Sequence, residues 1–209
     1  MDHTIVDLFA RPIIKTKINI DGIIDIFNQV VKANGKNNIT QNSREGLLHY
    51  HNDSNVFEIY DELKEFGYEL HKTANFVYQN ILNHQNTVSI TNAWFNQCEV
   101  GGCQFMHNHC NAVLCGTLYL IADENTCIDF QSPFGLSETS STIFDKPSHR
   151  QNEFGYYYHS DMTTFNVVQG DCLFWQSYIK HGYPPNKTPN RLSLSFNLMP
   201  DKVNSYYRI

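Results

Sequence analysis

Apolar residues in the first part of the chain recur at helical spacing. In segment 19–35 they repeat every three or four positions, as in a helix with one buried face: Ile23, Ile24, Phe27, Val30 and Val31. Segment 54–82 repeats the pattern at Phe57, Tyr60, Leu63, Leu70, Val77 and Ile81. Gly67 lies inside this second pattern and predicts a break or a bend. The polar segment 35–46 is predicted to be a loop between the two helical regions.

From about Thr87 the pattern changes to short runs rich in β-branched and aromatic residues, separated by Gly, Pro, Asn and Asp. The runs are 87–100, 112–122, 126–132, 163–168, 171–178 and 191–199. Many short strands after a helical block predict an antiparallel sandwich or barrel with helices on one face. We expect one domain, with 1–86 as an N-terminal strand and helical support, 87–209 as the β core, and the polar segment 131–161 as an insertion or lid loop.

Composition agrees with a globular fold and narrows the classes of function. The 209 residues are 41% hydrophobic and 17% charged, and the formal net charge is −6. No block of Lys and Arg is present, which argues against nucleic acid as a partner. No apolar run approaches the roughly 18 residues needed to cross a bilayer, and the start lacks the pattern of a secretory signal. We therefore expect a cytoplasmic protein whose six cysteines are reduced.

Histidines are the first candidate chemistry. Because side chains alternate along a strand, His107 and His109 would lie on one face, about 7 Å apart, and both could reach one metal ion. His181 follows a distant apolar run and precedes a Pro-rich turn. A single histidine is more often structural, and His49 and His51 are interpreted in that way. The agreement of three histidines favours a metal site.

The last strand carries a cation on its polar face. In 191–198, Arg191, Ser193, Ser195 and Asn197 alternate with apolar residues. A guanidinium flanked by hydroxyls suits a carboxylate ligand, and a buried arginine without a partner is costly. The alternative is a structural salt bridge from Arg191 to an Asp or Glu across the sheet.

The order of these motifs resembles the Fe(II)/2-oxoglutarate-dependent oxygenases, in particular a small family of them common in marine phages and bacteria. The resemblance covers most of the chain, and segment 8–18 also looks like that family's first strand. The motifs that carry it are a Trp-x-Asn strand (Trp94, Asn96), a His-x-His segment leading into a Gly-aromatic strand (107–120), a Gly-Asp segment ending in histidine (170–181) and an Arg-x-Ser strand (191–198).

The resemblance implies a mainly β, α+β fold: a double-stranded β-helix of jelly-roll or cupin-like type, with the N-terminal helices packed on one sheet. His107 and His181 match the two histidine ligands of iron, and His109 stands where the wider superfamily has a carboxylate. Arg191 and Ser193 match the pair that binds the distal carboxylate of 2-oxoglutarate. The implied cofactors are Fe(II), 2-oxoglutarate and O2.

The implied activity is that of a dioxygenase, with hydroxylation of a C–H bond and release of succinate and CO2. The expected substrate is a small molecule or a peptide, and the expected location is the host cytoplasm if the chain is viral. The sequence does not indicate the prime substrate or the oligomeric state.

Several assignments stay open at this stage. Tyr119 either reaches the co-substrate or fills the barrel, and Asn96 either binds co-substrate or substrate or simply ends a strand. A literal His-x-Asp, formed by His159 and Asp161, competes with the His107 motif, but it leaves room for only one hairpin before His181. Either Asp161 or Asp129 is a candidate for a group beside the ligands.

A third imidazole in place of a carboxylate cancels no charge of Fe(II). Two alternatives to the oxygenase therefore remain. One is a three-histidine dioxygenase that does not use 2-oxoglutarate. The other is a non-catalytic, cupin-like module that binds a metal or a small acid.

Overall fold

The computed structural model describes residues 11–34, 39–42, 45–133 and 162–202, with the backbone alone for 39–42. Within these ranges the strands are β1 (Ile14–Lys17), β2 (Ile39–Asn42), β3 (Leu47–Tyr50), β4 (Val88–Cys98), β5 (Gln104–His107), β6 (Leu114–Ile121), β7 (Cys127–Gln131), β8 (Met162–Asn166), β9 (Asp171–Gln176), β10 (Lys180–Tyr183) and β11 (Arg191–Pro200). The helices are α1 (Ile23–Ile26), α2 (Lys32–Asn34), α3 (Val56–Ile59) and α4 (Lys64–Phe76). π-Helical segments Phe27–Val31 and Val77–Ile81 and a 3₁₀ turn, Asp61–Leu63, extend them.

The strands form two antiparallel sheets. The larger sheet has the order β1-β9-β6-β11-β4-β3-β2, and the smaller sheet has the order β5-β10-β7-β8. A cluster of buried side chains from β6 and β9 of the larger sheet and β7 of the smaller sheet joins the two layers, with Tyr119, Phe130 and Trp175 among its members. The expected fold class is confirmed: a mainly β jelly roll with N-terminal helices.

The helices cover the outer face of the larger sheet. Their buried positions follow the predicted stripes at Ile23, Phe27 and Val31, and again at Leu63 and Leu70. These residues share one core with the apolar face of β11, which presents Leu192, Leu194, Phe196 and Leu198. Because strand side chains alternate, the polar face of β11 must point the other way, into the space between the sheets.

Three local expectations were wrong. Gly67 does not break its helix, since α4 runs through it; a Cβ there would lie 2.6 Å from Cγ of Phe57, so glycine is needed for close packing of α3 on α4. Ile81 is 48% exposed rather than part of the apolar stripe. The polar segment 35–46 contains β2, which pairs with β3 at the edge of the larger sheet. Edge strands tolerate polar residues because only one side is paired.

Other expectations fall outside the described residues. They include residues 8–10 of the first-strand resemblance, residues 134–161 of the lid segment, and both His159 and Asp161. The division into a support and a core, with the lid loop, stays a prediction. No helix within the described ranges is long and apolar enough to cross a membrane.

Candidate metal centre

Strand pairing brings the two most distant histidines together. β5 and β10 are antiparallel neighbours, and the Cα atoms of His107 and His181 are direct partners in the register. Their rings lie with centroids 4.3 Å apart. Gly182 permits this approach, because a Cβ at that position would lie 2.5 Å from the carbonyl oxygen of Gln104 in β5.

His109 reaches the same point from outside the strand. The prediction that His107 and His109 share a strand was only partly right, since β5 ends at His107. The backbone N–H of His109 instead donates to the carbonyl of Ser177 at 3.0 Å. Its ring centroid lies 5.2 Å from that of His107 and 5.1 Å from that of His181.

The three histidines offer one ligand atom each, and these atoms all lie within 4.8 Å of one another. The Nδ1 atoms of His107 and His181 bond to backbone carbonyls two residues earlier, Phe105 at 2.9 Å and Ile179 at 3.2 Å. Because a carbonyl can only accept, these Nδ1 atoms carry the proton and leave Nε2 with a free lone pair. This donor set fits Fe(II), for which imidazole is a suitable ligand.

Burial keeps two of the three histidines, His181 and His109, in the neutral state that binds a metal. Burial, together with the nearby His107 and His109, lowers the pKa of His181 to about 3. Burial also lowers the pKa of His109, although its hydrogen bond to Asn197 acts in the opposite direction. Both rings are therefore neutral near pH 7, and a metal ion does not have to displace a proton from them.

Arg191 is a buried cation on the polar face of β11. It is 4% exposed, and its Cζ lies 3.6 Å from the ring centroid of Tyr183 and 5.6 Å from that of Tyr119. No salt bridge to Arg191 is found among the residues that the structure describes, so the structural ion pair that the sequence left open is not observed. Cation–π contacts offset only part of the cost of burying this charge.

Tyr119 adds a second polar group that lacks a partner. Its side chain is fully buried, and its hydroxyl has no hydrogen-bond partner within the described ranges. Burial raises the pKa of Tyr119, so the phenol stays protonated and can donate. A carboxylate between the Tyr119 hydroxyl and the Arg191 guanidinium would satisfy both groups. The residues present thus fit a dicarboxylate co-substrate.

One cleft between the sheets is lined by all seven residues that the sequence offered as ligands of the metal or the co-substrate: Asn96, His107, His109, Tyr119, His181, Arg191 and Ser193. It encloses about 380 Å³, its open mouth included. His107 and His181 line it from β5 and β10, His109 lines it from the loop after β5, and Arg191 lines it from β11. Its lining consists of Trp94, Asn96, Gln104, His107, His109, Thr117, Tyr119, Ile128, His181, Tyr183, Arg191, Ser193 and Ser195.

A row of hydrogen bonds crosses the floor of the cleft. Asn96 Nδ2 donates to Ser195 Oγ at 2.9 Å, and Ser195 Oγ lies 3.0 Å from Thr117 Oγ1. His49 Nδ1 donates to Asn96 Oδ1 at 2.6 Å. His49 is therefore structural, as the sequence suggested, but it orients a residue of the cleft. Sequence reasoning missed that link because it depends on pairing between β3 and β4.

The remaining candidates lie apart from the centre. Asp129 accepts a hydrogen bond from Thr164 at 2.6 Å and does not line the cleft. His51 contacts the Tyr60 hydroxyl at 2.7 Å. All six cysteines are free thiols, as expected for a reduced protein.

Three imidazoles that share a jelly-roll cleft with a guanidinium, one without an acidic partner among the described residues, are typical of metal-dependent enzymes with an acidic co-substrate. A sequence model of the family described as "Putative 2OG-Fe(II) oxygenase" matches residues 92–197. The chain belongs to this family of oxygenases, whose cofactors are Fe(II), 2-oxoglutarate and O2. No curated protein sequence matches the chain.

Solved structures share the fold at low sequence identity. The carbocyclase SnoK from nogalamycin biosynthesis has a TM-score of 0.62 at 11% identity, covering 90% of this chain and 79% of its own. HygX from Streptomyces hygroscopicus, crystallised with nickel, 2-oxoglutarate and hygromycin B, has a TM-score of 0.56 at 9% identity, covering 90% and 83%. A prolyl-4-hydroxylase from Pseudomonas putida has a TM-score of 0.56 at 11% identity, covering 90% and 92%.

Proposed function

We propose that this oxygenase is a hydroxylase that oxidises a C–H bond of a small molecule or a peptide side chain. His107, His109 and His181 hold Fe(II), and Arg191, Ser193 and Tyr119 hold the distal carboxylate of 2-oxoglutarate. The observation that carries the proposal is the set of three histidine ligand atoms within 4.8 Å of one another, in the same cleft as a buried arginine without an acidic partner among the described residues.

The bound cofactors supply the oxidising chemistry, because Fe(II) and 2-oxoglutarate together activate O2 while 2-oxoglutarate becomes succinate and CO2. The protein residues position and insulate the reactants. Arg191 and Tyr119 orient the co-substrate by its far carboxylate. The apolar cluster that contains Phe130 and Trp175 packs against His181 and keeps water away from that side of it. Substrate enters through the open mouth of the cleft, since its floor is closed by the hydrogen-bonded row at Asn96.

Arg191 distinguishes this function from a three-histidine dioxygenase without 2-oxoglutarate. That alternative gives no reason for a buried guanidinium that meets no carboxylate in the described part of the chain. Both proposed substrate classes have a counterpart among the relatives, since HygX was crystallised with hygromycin B and another relative is a prolyl-4-hydroxylase.

Anaerobic titration with Fe(II), with and without 2-oxoglutarate, tests the proposal. We expect a weak visible charge-transfer band that requires both reagents. Arg191→Met should raise the half-saturating 2-oxoglutarate concentration about 10- to 100-fold, the usual effect of losing hydrogen bonds to a charged group. His181→Ala should abolish iron binding, whereas His71→Ala, in α4 outside the cleft, should not.

The results of this titration separate the three functions. An iron spectrum that does not respond to 2-oxoglutarate would favour the 2-oxoglutarate-independent dioxygenase. Binding of both reagents without succinate release, across a panel of small molecules and prolyl peptides, would favour the non-catalytic module.

A further inference from the structure

The third histidine of the centre is held differently from the other two. His107 and His181 each bond through Nδ1 to a carbonyl of their own local chain. His109 Nδ1 instead lies 2.6 Å from the side-chain oxygen Oδ1 of Asn197. Its orientation therefore depends on a residue of β11, which is far away in sequence and belongs to the larger sheet, whereas His107 and His181 belong to the smaller one.

The surroundings of Asn197 fix which end of its amide faces His109. Asn197 is 4% exposed and stands opposite Cys115 in the register of β11 and β6. The Cys115 thiol donates to the same Oδ1 at 3.4 Å, while Nδ2 of Asn197 donates to Oδ1 of Asn111 at 3.4 Å. With the amide oxygen on His109, the ring nitrogen is the donor, since an amide oxygen can only accept; Cys115 Sγ also lies 3.2 Å from this Nδ1.

We propose that Asn197 is a positioning residue: it holds the proton of His109 on Nδ1 and turns Nε2 toward the metal. The inference rests on the proposed function, in which His109 is an iron ligand. Without the amide oxygen, the His109 proton is free to move to Nε2, and a protonated Nε2 cannot bind a metal. Cys115 does not replace the acceptor, although its Sγ lies 3.2 Å from the same Nδ1, because a thiol sulfur is a weak acceptor.

The same strand also carries the residue that binds the co-substrate. Arg191 and Asn197 lie on one face of β11, six positions apart, and Ser193 and Ser195 lie between them. Asn197 therefore sets the third ligand relative to Arg191 through a single rigid strand. This link explains how a histidine in a loop can be held as accurately as the two that are supported by strand pairing.

The tautomer can be measured without metal. In ¹⁵N-histidine-labelled apoprotein, long-range ¹H–¹⁵N correlation spectra distinguish a protonated Nδ1 from a protonated Nε2, and His109→Gln identifies the signal. We expect Nδ1–H in the native protein and in Asn197→Asp, which keeps an acceptor oxygen. We expect Nε2–H, or a mixture, in Asn197→Leu, which has similar volume and no acceptor.

Metal affinity gives the second measurement, with Co(II) as a redox-stable probe. Asn197→Leu should weaken Co(II) binding about 10- to 100-fold, the usual effect of removing the hydrogen-bond partner of a metal-binding histidine. Asn197→Asp should restore it. Asn92→Leu is the matched control, because Asn92 faces Asn197 across the β4–β11 register and makes no side-chain hydrogen bond within the described part of the chain.

Two results would overturn the inference: an Nε2–H tautomer of His109 in the native apoprotein, or unchanged Co(II) affinity in a folded Asn197→Leu protein. The first result needs no variant, so a misfolded variant leaves the test intact. A native protein that binds no Co(II) would instead reject the proposed metal site, whichever tautomer His109 adopts.

Discussion

At the scale of single residues, the sequence indicated the reactive groups but not their supports. Histidine and arginine are rarely needed to pack a jelly-roll core. Their spacing along the predicted strands therefore identified His107, His109, His181 and Arg191 as candidate site residues. Asn197 was visible only as the last polar position of an alternating strand. The role that we propose for it rests on a 2.6 Å contact with His109. That contact could not be predicted without knowing which strands and loops meet at the cleft.

Gly182 leads to a prediction at this scale. His107 in β5 and His181 in β10 can approach closely because the next residue of β10, Gly182, has no side chain. A Cβ would lie 2.5 Å from Gln104 O and 3.1 Å from Met106 Sδ, so Gly182→Ala must push β5 away. We expect the free energy of unfolding to fall by about 1–3 kcal/mol, as for other overpacked sites, and Co(II) affinity to fall at least several-fold. Isothermal titration and urea unfolding measure these two effects.

Gly67→Ala is the matched control for this substitution. It creates an equally close contact, with Phe57, but in the helical layer away from the cleft. It should lower stability while leaving Co(II) affinity unchanged. Equal loss of Co(II) affinity in both variants would mean that general destabilisation, not displacement of β5, weakens the site.

At the scale of elements, long strands rich in β-branched and aromatic residues were predictable, whereas short polar ones were not. β4, β6 and β11 each show eight or more residues of strand character. β5 and β10 have four residues each, too few to show a period, although they carry two of the three histidines. β5 and β10 form because they pair with each other and because β10 also pairs with β7. The residues of a short strand do not reveal its pairing partner.

Two ion pairs attach the edge strand β1 to β9, and they lead to a prediction about how stability depends on pH. Lys15 and Lys17 contact the buried Asp171 of β9 at 2.7 and 2.8 Å. Burial alone would raise the pKa of Asp171, but hydrogen bonds from both lysines and from the Val168 N–H outweigh it, so this pKa lies below its usual value. A lowered pKa means that this stabilisation is present above the unfolded pKa of about 4 and is lost as the pH falls through the folded pKa.

We therefore expect Asp171→Asn to lower the free energy of unfolding by about 1–2 kcal/mol at pH 7. The loss should shrink steadily as the pH falls below about 4, because the unfolded carboxyl takes up its proton first and the native carboxyl follows at its lower pKa. Urea unfolding of both proteins from pH 7 to pH 3 measures this difference. Asp61→Asn, which removes an exposed pair with Lys64, should change nothing measurable. A difference that is independent of pH would contradict the role of the Asp171 charge.

At the scale of the whole molecule, the site lies where the two sheets meet. To the proposed site, the smaller sheet supplies His107 and His181, while the larger sheet supplies Arg191, Tyr119 and the residue that contacts His109, Asn197. Motif order along the chain identified the family, because each motif belongs to a different strand of the same cleft. The prime substrate was not predictable. The motifs and the residues that line the cleft account for the proposed cofactors, and they do not specify which substrate binds beside them.

A metal and a co-substrate at this position should join the two sheets and stabilise the whole fold. At a Co(II) concentration of 100 times its Kd, binding adds about 2.7 kcal/mol, which corresponds to a rise in Tm of about 5–10 °C for a chain of this size. Adding 2-oxoglutarate should raise the Tm further only when the metal is present. In Arg191→Met the Co(II) shift should remain and the 2-oxoglutarate increment should largely disappear, whereas His181→Ala should lose both. A 2-oxoglutarate shift of equal size without metal would show that the acid binds apart from the histidines, and the two sheets would then not be joined through one site.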